Sequence, residues 1–256
     1  MKRISWTFLA AAWLLLTWAM PAGAFEIGAR ALYWFPSFKA DMKSDAAGLT
    51  GSSLNLKDNL GVGNESFPTF EAFGGLGNHR ISLGYTPIKY SGSTTLSSAI
   101  TFHGQNFAAG ERVDTDLKLR MLDLEYQYTF LNMENILAGF SLGAIGQIKY
   151  LDGEAKMNAP ASGKQADFTA RLPIPMVGLS AHAGLLAGIL EARAKLVGIG
   201  YSSNYLYEAL ADLSLTPFPF LDIHAGYKII RVKLDRSDDY LDAQFAGPYV
   251  GLTVSF

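Results

Sequence analysis

Charged residues recur at every second position in several segments, and this spacing limits what chemistry they could do. Glu191, Arg193 and Lys195 are separated from one another by single apolar residues. Successive side chains of a β-strand point to opposite faces, so these three charges would share one face. Charges of both signs on a shared face can form ion pairs or line a hydrated passage.

The same alternation recurs along the chain, and we predict that the polar faces together form one charge network inside a barrel. Acidic and basic members are present in similar number. The pattern is therefore compatible with two alternatives, a lumen filled by ion pairs and a narrow water-filled passage for small solutes. The predicted members are Arg30, Glu71, Arg80, Lys118, Arg120, Asp123, Glu125, Lys149, Arg171, Glu191, Arg193, Lys195, Glu208, Asp212, Asp222, His224 and Lys228.

Two histidines raise the question of hydrolytic catalysis. A serine hydrolase needs a serine, a base and an orienting group within hydrogen-bond reach. Ser180 and His182 are two residues apart in one strand, which holds them in parallel at about 7 Å. His224 follows Asp222 by two residues in another segment. This spacing favours hydrogen-bonded lumen histidines, and we predict that the protein is not an enzyme, with an outer-membrane lipid or peptide hydrolase as the less favoured alternative.

Metal and cofactor chemistry finds little support in the sequence. The chain has no cysteine, which excludes thiolate ligands and a thiol nucleophile. Asp235, Asp238, Asp239 and Asp242 could offer oxygen ligands to a divalent cation, but their spacing does not match an EF-hand. The sequence also contains no phosphate-binding loop and no dinucleotide fingerprint. We therefore predict neither a metal nor a cofactor.

The first 24 residues have the features of a secretory signal peptide. Lys2 and Arg3 precede an apolar run over residues 6–18, and Ala22-Gly23-Ala24 matches the small-residue cleavage pattern. We predict cleavage between Ala24 and Phe25, leaving residues 25–256 as a single domain.

Charge and hydropathy restrict the mature chain further. The full chain has 21 basic residues, of which two lie in the signal segment, so the mature chain has 19 basic and 23 acidic residues. This mild acidity argues against nucleic acid as a partner. No mature segment approaches 18 continuous apolar residues, so a membrane-embedded form would have to be a closed barrel. A soluble periplasmic barrel with its apolar faces inside is the alternative.

Alternation and turn residues predict an all-β, closed antiparallel up-and-down transmembrane barrel of about ten strands, with eight or twelve as alternatives. The short connections would lie at the periplasmic end, and the longer ones, around 37–65, 92–111 and 152–166, at the extracellular end. The predicted strands are 25–36, 66–75, 79–91, 112–130, 135–151, 167–185, 189–202, 205–216, 220–235 and 243–256.

Three of these strands change the parity of their charged residues midway. The changes fall at Met121-Leu122, near Pro175-Met176 and near Ile229-Ile230. A β-bulge adds one residue and would cause such a shift. Alternatively, the strand extends beyond the membrane, where the inside-out pattern no longer applies.

The last strand carries the most specific pattern. Val250, Leu252, Val254 and the terminal Phe256 share one apolar face. An alternating apolar final strand that ends in an aromatic residue resembles the assembly signal of outer-membrane β-barrel proteins. Together with the signal segment, the pattern resembles the small barrels of the OmpA, OmpX and OmpW kind.

This resemblance implies location in the bacterial outer membrane and a structural or surface-interaction role, with a narrow porin-like channel as the alternative. The implied partners are outer-membrane lipid and the export and barrel-assembly machinery, with an extracellular ligand at loops 37–65 and 92–111 as a further candidate. The acidic and histidine site of ten-stranded outer-membrane proteases has no matching motif here. Residues that could resemble it are His103, Asp114, Asp116, Asp235, Asp238 and Asp239.

Overall fold

The computed structural model describes residues 25–44, 52, 54–133, 139–186, 189–235 and 239–256. The predicted signal segment, including Ala22 and Ala24, lies outside the described residues. Within the described part of the chain, no helix is long and apolar enough to cross a bilayer. The elements are β1 (Phe25–Trp34), β2 (Ser37–Ser44), β3 (Leu54–Asn55), α1 (Leu56–Leu60), β4 (Phe67–Leu76), β5 (His79–Thr95), β6 (Ile100–Phe102), β7 (Gln105–Phe107), β8 (Arg112–Met133), β9 (Phe140–Ala159), β10 (Lys164–Leu186), β11 (Leu190–Tyr201), β12 (Asn204–Phe218), β13 (Leu221–Asp235) and β14 (Asp239–Ser255).

Ten strands close into one antiparallel barrel, which confirms the predicted fold and strand number. Their order is β1, β4, β5 and then β8 to β14, and β14 pairs with β1 to complete the ring. The closing pairs run from Gly28 opposite Ser255 to Trp34 opposite Tyr249. Strand β2 continues the line of β1 and pairs with the first half of β14, residues 239–246. Strands β6 and β7 form a separate hairpin.

The two ends of the barrel differ in their connections. Phe25 pairs with Leu76, and the Phe256 backbone bonds to Ile27, so both described termini lie at the end with the β4–β5 turn. We call this the periplasmic end and the opposite one the outer end.

The predicted long loop at 152–166 is wrong, because β9 continues to Ala159 and β10 begins at Lys164. Residues 135–138, at the start of the predicted strand 135–151, lie outside the described residues.

The wall of the barrel is uneven in height. Strands β8, β9 and β10 have 22, 20 and 23 residues, whereas β11 has 12. Strand β10 pairs with β9 from Lys164 onward, but its pairing with β11 begins at Val177. Pro173 and Pro175 lie on the stretch without a β11 partner, where a missing N–H costs no hydrogen bond within the sheet.

The changes of charge parity are not bulges. Pairing of β8 with β5 and β9 runs without a shift across Met121 and Leu122. It is equally regular in β10 at Pro175 and in β13 at Ile229. The described register shifts lie near the periplasmic turns instead. The side chains therefore keep their faces while the surroundings change, as expected for strands that extend out of the membrane.

The outer surface has an apolar belt towards the periplasmic end. Leu122, Leu124 and Tyr126 on β8 all point outward and are exposed, and the next outward residues above them are Arg120 and Lys118. Exposed apolar side chains around the wall exclude the alternative of a soluble barrel with its apolar faces inside. An apolar band below a polar rim is the surface of an outer-membrane β-barrel.

The interior changes in the opposite order, from polar in the periplasmic half to apolar in the outer half. In the outer half it is filled by an apolar plug, defined here as Trp34, Phe38, Tyr90, Met121 and Phe245, all buried. The ring of Phe38 stacks on Tyr90 at 4.5 Å and on Phe245 at 4.9 Å between centroids. This core lies directly above the polar half of the lumen.

The described residues of the predicted loops 37–65 and 92–111 help to close the outer end. Leu56 and Leu60 of α1 are buried, as are Phe102 and Phe107 of the β6–β7 hairpin. A Cβ at Gly92 would come within 2.5 Å of the Leu60 carbonyl oxygen, so glycine is required for this close approach. The mouth of the barrel is therefore covered by packed segments.

Candidate functional site

The periplasmic half of the lumen holds a network of ion pairs positioned by strand alternation. At its centre, Lys149 is completely buried, and its Nζ lies 2.5 Å from Asp123 Oδ1 and 3.0 Å from Glu208 Oε2. Gln147 donates a hydrogen bond to the same Asp123 oxygen at 2.7 Å. Burying an ammonium group is tolerated when carboxylates compensate it at such distances.

Glu208 joins three lysines from three strands. Lys195 Nζ lies 3.2 Å from Glu208 Oε1 and 3.0 Å from Glu125 Oε2. Lys228 Nζ lies 3.7 Å from Glu208 Oε1 and 5.3 Å from the centre of the Trp34 ring. This ring contact links the charge network to the apolar plug above it.

A second cluster is centred on Asp212. Its carboxylate accepts hydrogen bonds from His224 Nδ1 at 2.9 Å, from Arg193 Nη2 at 3.1 Å and from the Tyr249 hydroxyl at 2.6 Å. With the His224 proton on Nδ1, Nε2 accepts a hydrogen bond from the Thr253 hydroxyl at 2.7 Å. Every partner of this buried carboxylate is therefore a donor, which suits an ionised acid.

The order Asp212–His224–Thr253 has the outline of a hydrolytic triad, but its surroundings do not suit a nucleophile. The Thr253 oxygen already accepts a hydrogen bond from Arg30 Nε at 2.9 Å, and the residue is buried. Arg30 in turn lies 3.5 Å from Glu71. A substrate carbonyl would have to displace these contacts, which join Asp212, His224, Thr253 and Arg30 into one hydrogen-bonded network.

The other residues considered for histidine chemistry contact neighbouring polar side chains instead of each other. His182 Nε2 lies 3.1 Å from Glu191 Oε2 across neighbouring strands. Asp222 accepts a hydrogen bond from the Thr216 hydroxyl at 2.6 Å. Within the described residues, no group of three or more His, Cys, Asp or Glu side chains could hold a metal ion.

These side chains surround a cavity of about 490 Å³ in the periplasmic half. Its lining extends from Gly77 and Asn78 in the β4–β5 turn to Lys228 and Tyr249 below the plug. Near the turn, Arg80 lies 3.1 Å from Glu26 and stacks at 3.8 Å over the ring of Phe73. The cavity is a polar chamber that reaches the periplasmic end and stops beneath the apolar plug.

Three of the predicted network members lie elsewhere. Lys118, Arg120 and Arg171 point outward above the apolar belt, so their predicted place in the lumen is wrong. The prediction assumed that charge marks the inner face throughout each strand, whereas beyond the membrane the outer face is the hydrated one. The structure places the remaining members on the inner face: Arg30, Glu71, Arg80, Asp123, Glu125, Lys149, Glu191, Arg193, Lys195, Glu208, Asp212, Asp222, His224 and Lys228.

The predicted network omitted polar residues of the last strand. Tyr249 and Thr253 complete the Asp212 cluster, and both have the parity opposite to the apolar face of β14. That parity was the available signal for them. The predicted assembly residues Val250, Leu252, Val254 and Phe256 all point outward and are exposed.

Comparison with known proteins bears on the fold. No family model and no curated protein matches the chain. The solved structure of the outer membrane protease OmpT from Escherichia coli is similar, with a TM-score of 0.60 and 12% identity over 91% of this chain and 98% of that one. Ail, the attachment invasion locus protein of Yersinia pestis, gives a TM-score of 0.37 at 13% identity over 91% and 99%. Neisserial surface protein A gives 0.33 at 14% identity over 91% and 97%. The likeness to OmpT shows the fold, that of a bacterial outer-membrane β-barrel.

Proposed function

We propose that this barrel has a structural or surface-interaction role in the outer membrane and does not conduct ions. The observation that carries the proposal is the two-part filling of the lumen. Ion pairs such as Lys149–Glu208 cross the periplasmic half, and the apolar plug occupies the outer half. A structural or surface role requires no open path between these two parts.

A narrow porin-like channel, the alternative, would need polar side chains along the whole lumen. The inward residues of β8 change from Glu125 and Asp123 to Met121, Leu119 and Leu117 towards the outer end. Ions would have to cross this apolar layer without compensating groups, which is strongly unfavourable. The filling therefore supports a closed barrel.

Surface interaction is favoured by the construction of the outer end. The β6–β7 hairpin buries Ile100, Phe102 and Phe107 and exposes His103 and Asn106 at its tip. A buried base with an exposed polar tip offers a fixed surface for a partner, and binding residues often lie on such segments of a rigid scaffold. We assign the contact surface for an extracellular ligand to this part of residues 92–111.

A hydrolase role has less support. OmpT is a protease by name, but at 12% identity the likeness extends to the fold alone. Among the acidic and histidine residues considered for such a site, His103 packs against the Phe168 ring and Asp114 lies 3.6 Å from Arg112. Asp116 points outward from β8. Asp238 lies outside the described residues. His103 thus lies on the β6–β7 hairpin, whereas Asp114 and Asp116 lie on the outward face of β8.

Recording from planar bilayers tests the proposal. Purified protein whose insertion has been verified by protection from added protease should give no discrete conductance steps. Steps that scale with the amount of inserted protein would overturn the closed-barrel assignment. If steps do appear, their change on Arg193→Gln would identify the lumen as the conducting path and favour the channel alternative.

A further inference from the structure

Lys118, Arg120 and Arg171, which were predicted in the lumen, belong to a charged surface on the outside of the wall. Arg120 on β8, Asp152 on β9 and Arg171 on β10 are register partners, and they form one horizontal row that we call the arginine row. The outward residues in the next row towards the membrane are Leu122, Tyr150 and Pro173. The arginine row therefore begins where the apolar belt ends.

Asp152 orients both guanidinium groups. Its Oδ2 lies 2.6 Å from Arg120 Nη2, and its Oδ1 lies 3.3 Å from Arg171 Nε. The Asp152 side chain is 16% exposed, whereas those of Arg120 and Arg171 are 60% and 64% exposed. Each guanidinium carries five N–H donors, so most of them face outward and stay available. Two cations share one carboxylate, which leaves the row with a net positive charge.

The neighbouring row further from the membrane adds to this charge. Lys118 and Lys89 are register partners that point outward on β8 and β5. Glu154 in the same row is paired with Lys156 of β9 at 2.5 Å. The surface next to the apolar belt is therefore dominated by cations on this side of the barrel.

The depth of the arginine row identifies its partner. Leu122 and Tyr150 are exposed on the lipid-facing surface. Arg120 and Asp152 follow them by two residues on the same face, a rise of about 7 Å along the strand. That distance places the guanidinium groups at the level of lipid headgroups, where anionic groups attract basic side chains.

We propose that the arginine row binds the phosphate group of an anionic lipid headgroup in the leaflet that surrounds the outer half of the barrel. The planar donor arrays of arginine match phosphate oxygens, which a single ammonium cannot contact in the same bidentate way. This inference is independent of whether the lumen conducts. It rests on the position of the row above the lipid-facing belt.

Native mass spectrometry of protein released from lipid nanodiscs gives a direct test. The nanodiscs contain zwitterionic phosphatidylcholine with a fixed fraction of phosphatidic acid, and the measurement is the ratio of the two lipids retained on the protein. The variant is Arg120→Gln with Arg171→Gln. The matched control is Arg112→Gln, since Arg112 lies on the same face of β8, is 70% exposed and sits eight residues further from the membrane.

Wild-type and Arg112→Gln proteins should retain phosphatidic acid preferentially, and the double variant should lose this preference by about tenfold or more. Unchanged retention in the double variant would overturn the proposal, as would an equal loss in Arg112→Gln. Inorganic phosphate in excess should displace little of the retained lipid. Full displacement would identify a general anion site and contradict a lipid headgroup. Unchanged heat-dependent gel mobility verifies that each variant is folded.

Discussion

Lys149 of β9 and Glu208 of β12 form an ion pair across the lumen, with their Nζ and Oε2 atoms 3.0 Å apart although two strands separate them in the wall. Such a pair connects two strands that are not neighbours in the wall. Both side chains are buried, so water cannot replace either charge as the partner of the other.

Lys149→Met should destabilise the barrel by about 3–5 kcal/mol, because Glu208 and Asp123 lose a buried counter-ion. Trp34 is the one tryptophan beyond residue 24 and reports unfolding by its fluorescence. Adding Glu208→Gln to Lys149→Met should give a smaller total loss than the sum of the two single changes. Strict additivity in urea titrations would show that the two residues are not energetically coupled.

Lipid-facing positions should reject charge. Ala194 points outward within the apolar belt, and an arginine there should cost about 2–4 kcal/mol in folding into vesicles. Lys195→Arg keeps the charge and the inward direction and should have a much smaller effect. Thr169→Arg is the matched control, because Thr169 also points outward but lies above the belt, in the row of Lys118. Equal folding yields for Ala194→Arg and Thr169→Arg would contradict the placement of the belt.

The hairpin tip between β9 and β10 should loosen in acid. The hydroxyl of Ser162, the Ala108 N–H and the Lys164 ammonium all face the Glu111 carboxylate and hold its pKa below the ordinary value of 4.5. A lowered pKa contributes stability above the unfolded value, and this is lost as the pH falls through the folded one. Amide exchange at residues 160–163, corrected for its intrinsic pH dependence, should accelerate below about pH 4.5, and Glu111→Gln should remove that acceleration. The same acid response in the variant would rule out Glu111 as its source.

Deletion of Phe256 should reduce insertion into the outer membrane while leaving export intact. Phe256 stacks on Phe220 at 5.2 Å between ring centres, so deletion also removes a packing contact. Phe220→Ala removes the same stack and keeps the terminal aromatic residue. Membrane fractionation should therefore show a larger loss for the deletion than for Phe220→Ala. Equal losses would attribute the effect to packing instead of recognition during assembly.

Strand alternation predicted the barrel, the ten strands and most inward-facing charges, because one face of each strand meets lipid and the other does not. It failed for Lys118, Arg120 and Arg171, because charge marks the inner face only within the membrane. Beyond the membrane the outer face is hydrated, and the charged residues there have the opposite parity. Residues 152–166 resemble a loop because their outward face is polar, yet they continue β9 and β10. The partner of Lys149 could not be predicted, because alternation gives the face of a residue but not what lies across the lumen.

The polar chamber is accessible from the periplasm and is sealed from the outside by the apolar plug. The chain has no cysteine, so single cysteines can report accessibility. Gln127 lines the chamber on β8, and Met121 lies in the plug on the same face of that strand. A charged maleimide too large for general porins should leave Gln127→Cys unlabelled in intact cells and label it once the outer membrane is permeabilised, with Met121→Cys unlabelled in both. Equal labelling of Gln127→Cys in intact and permeabilised cells would contradict the account.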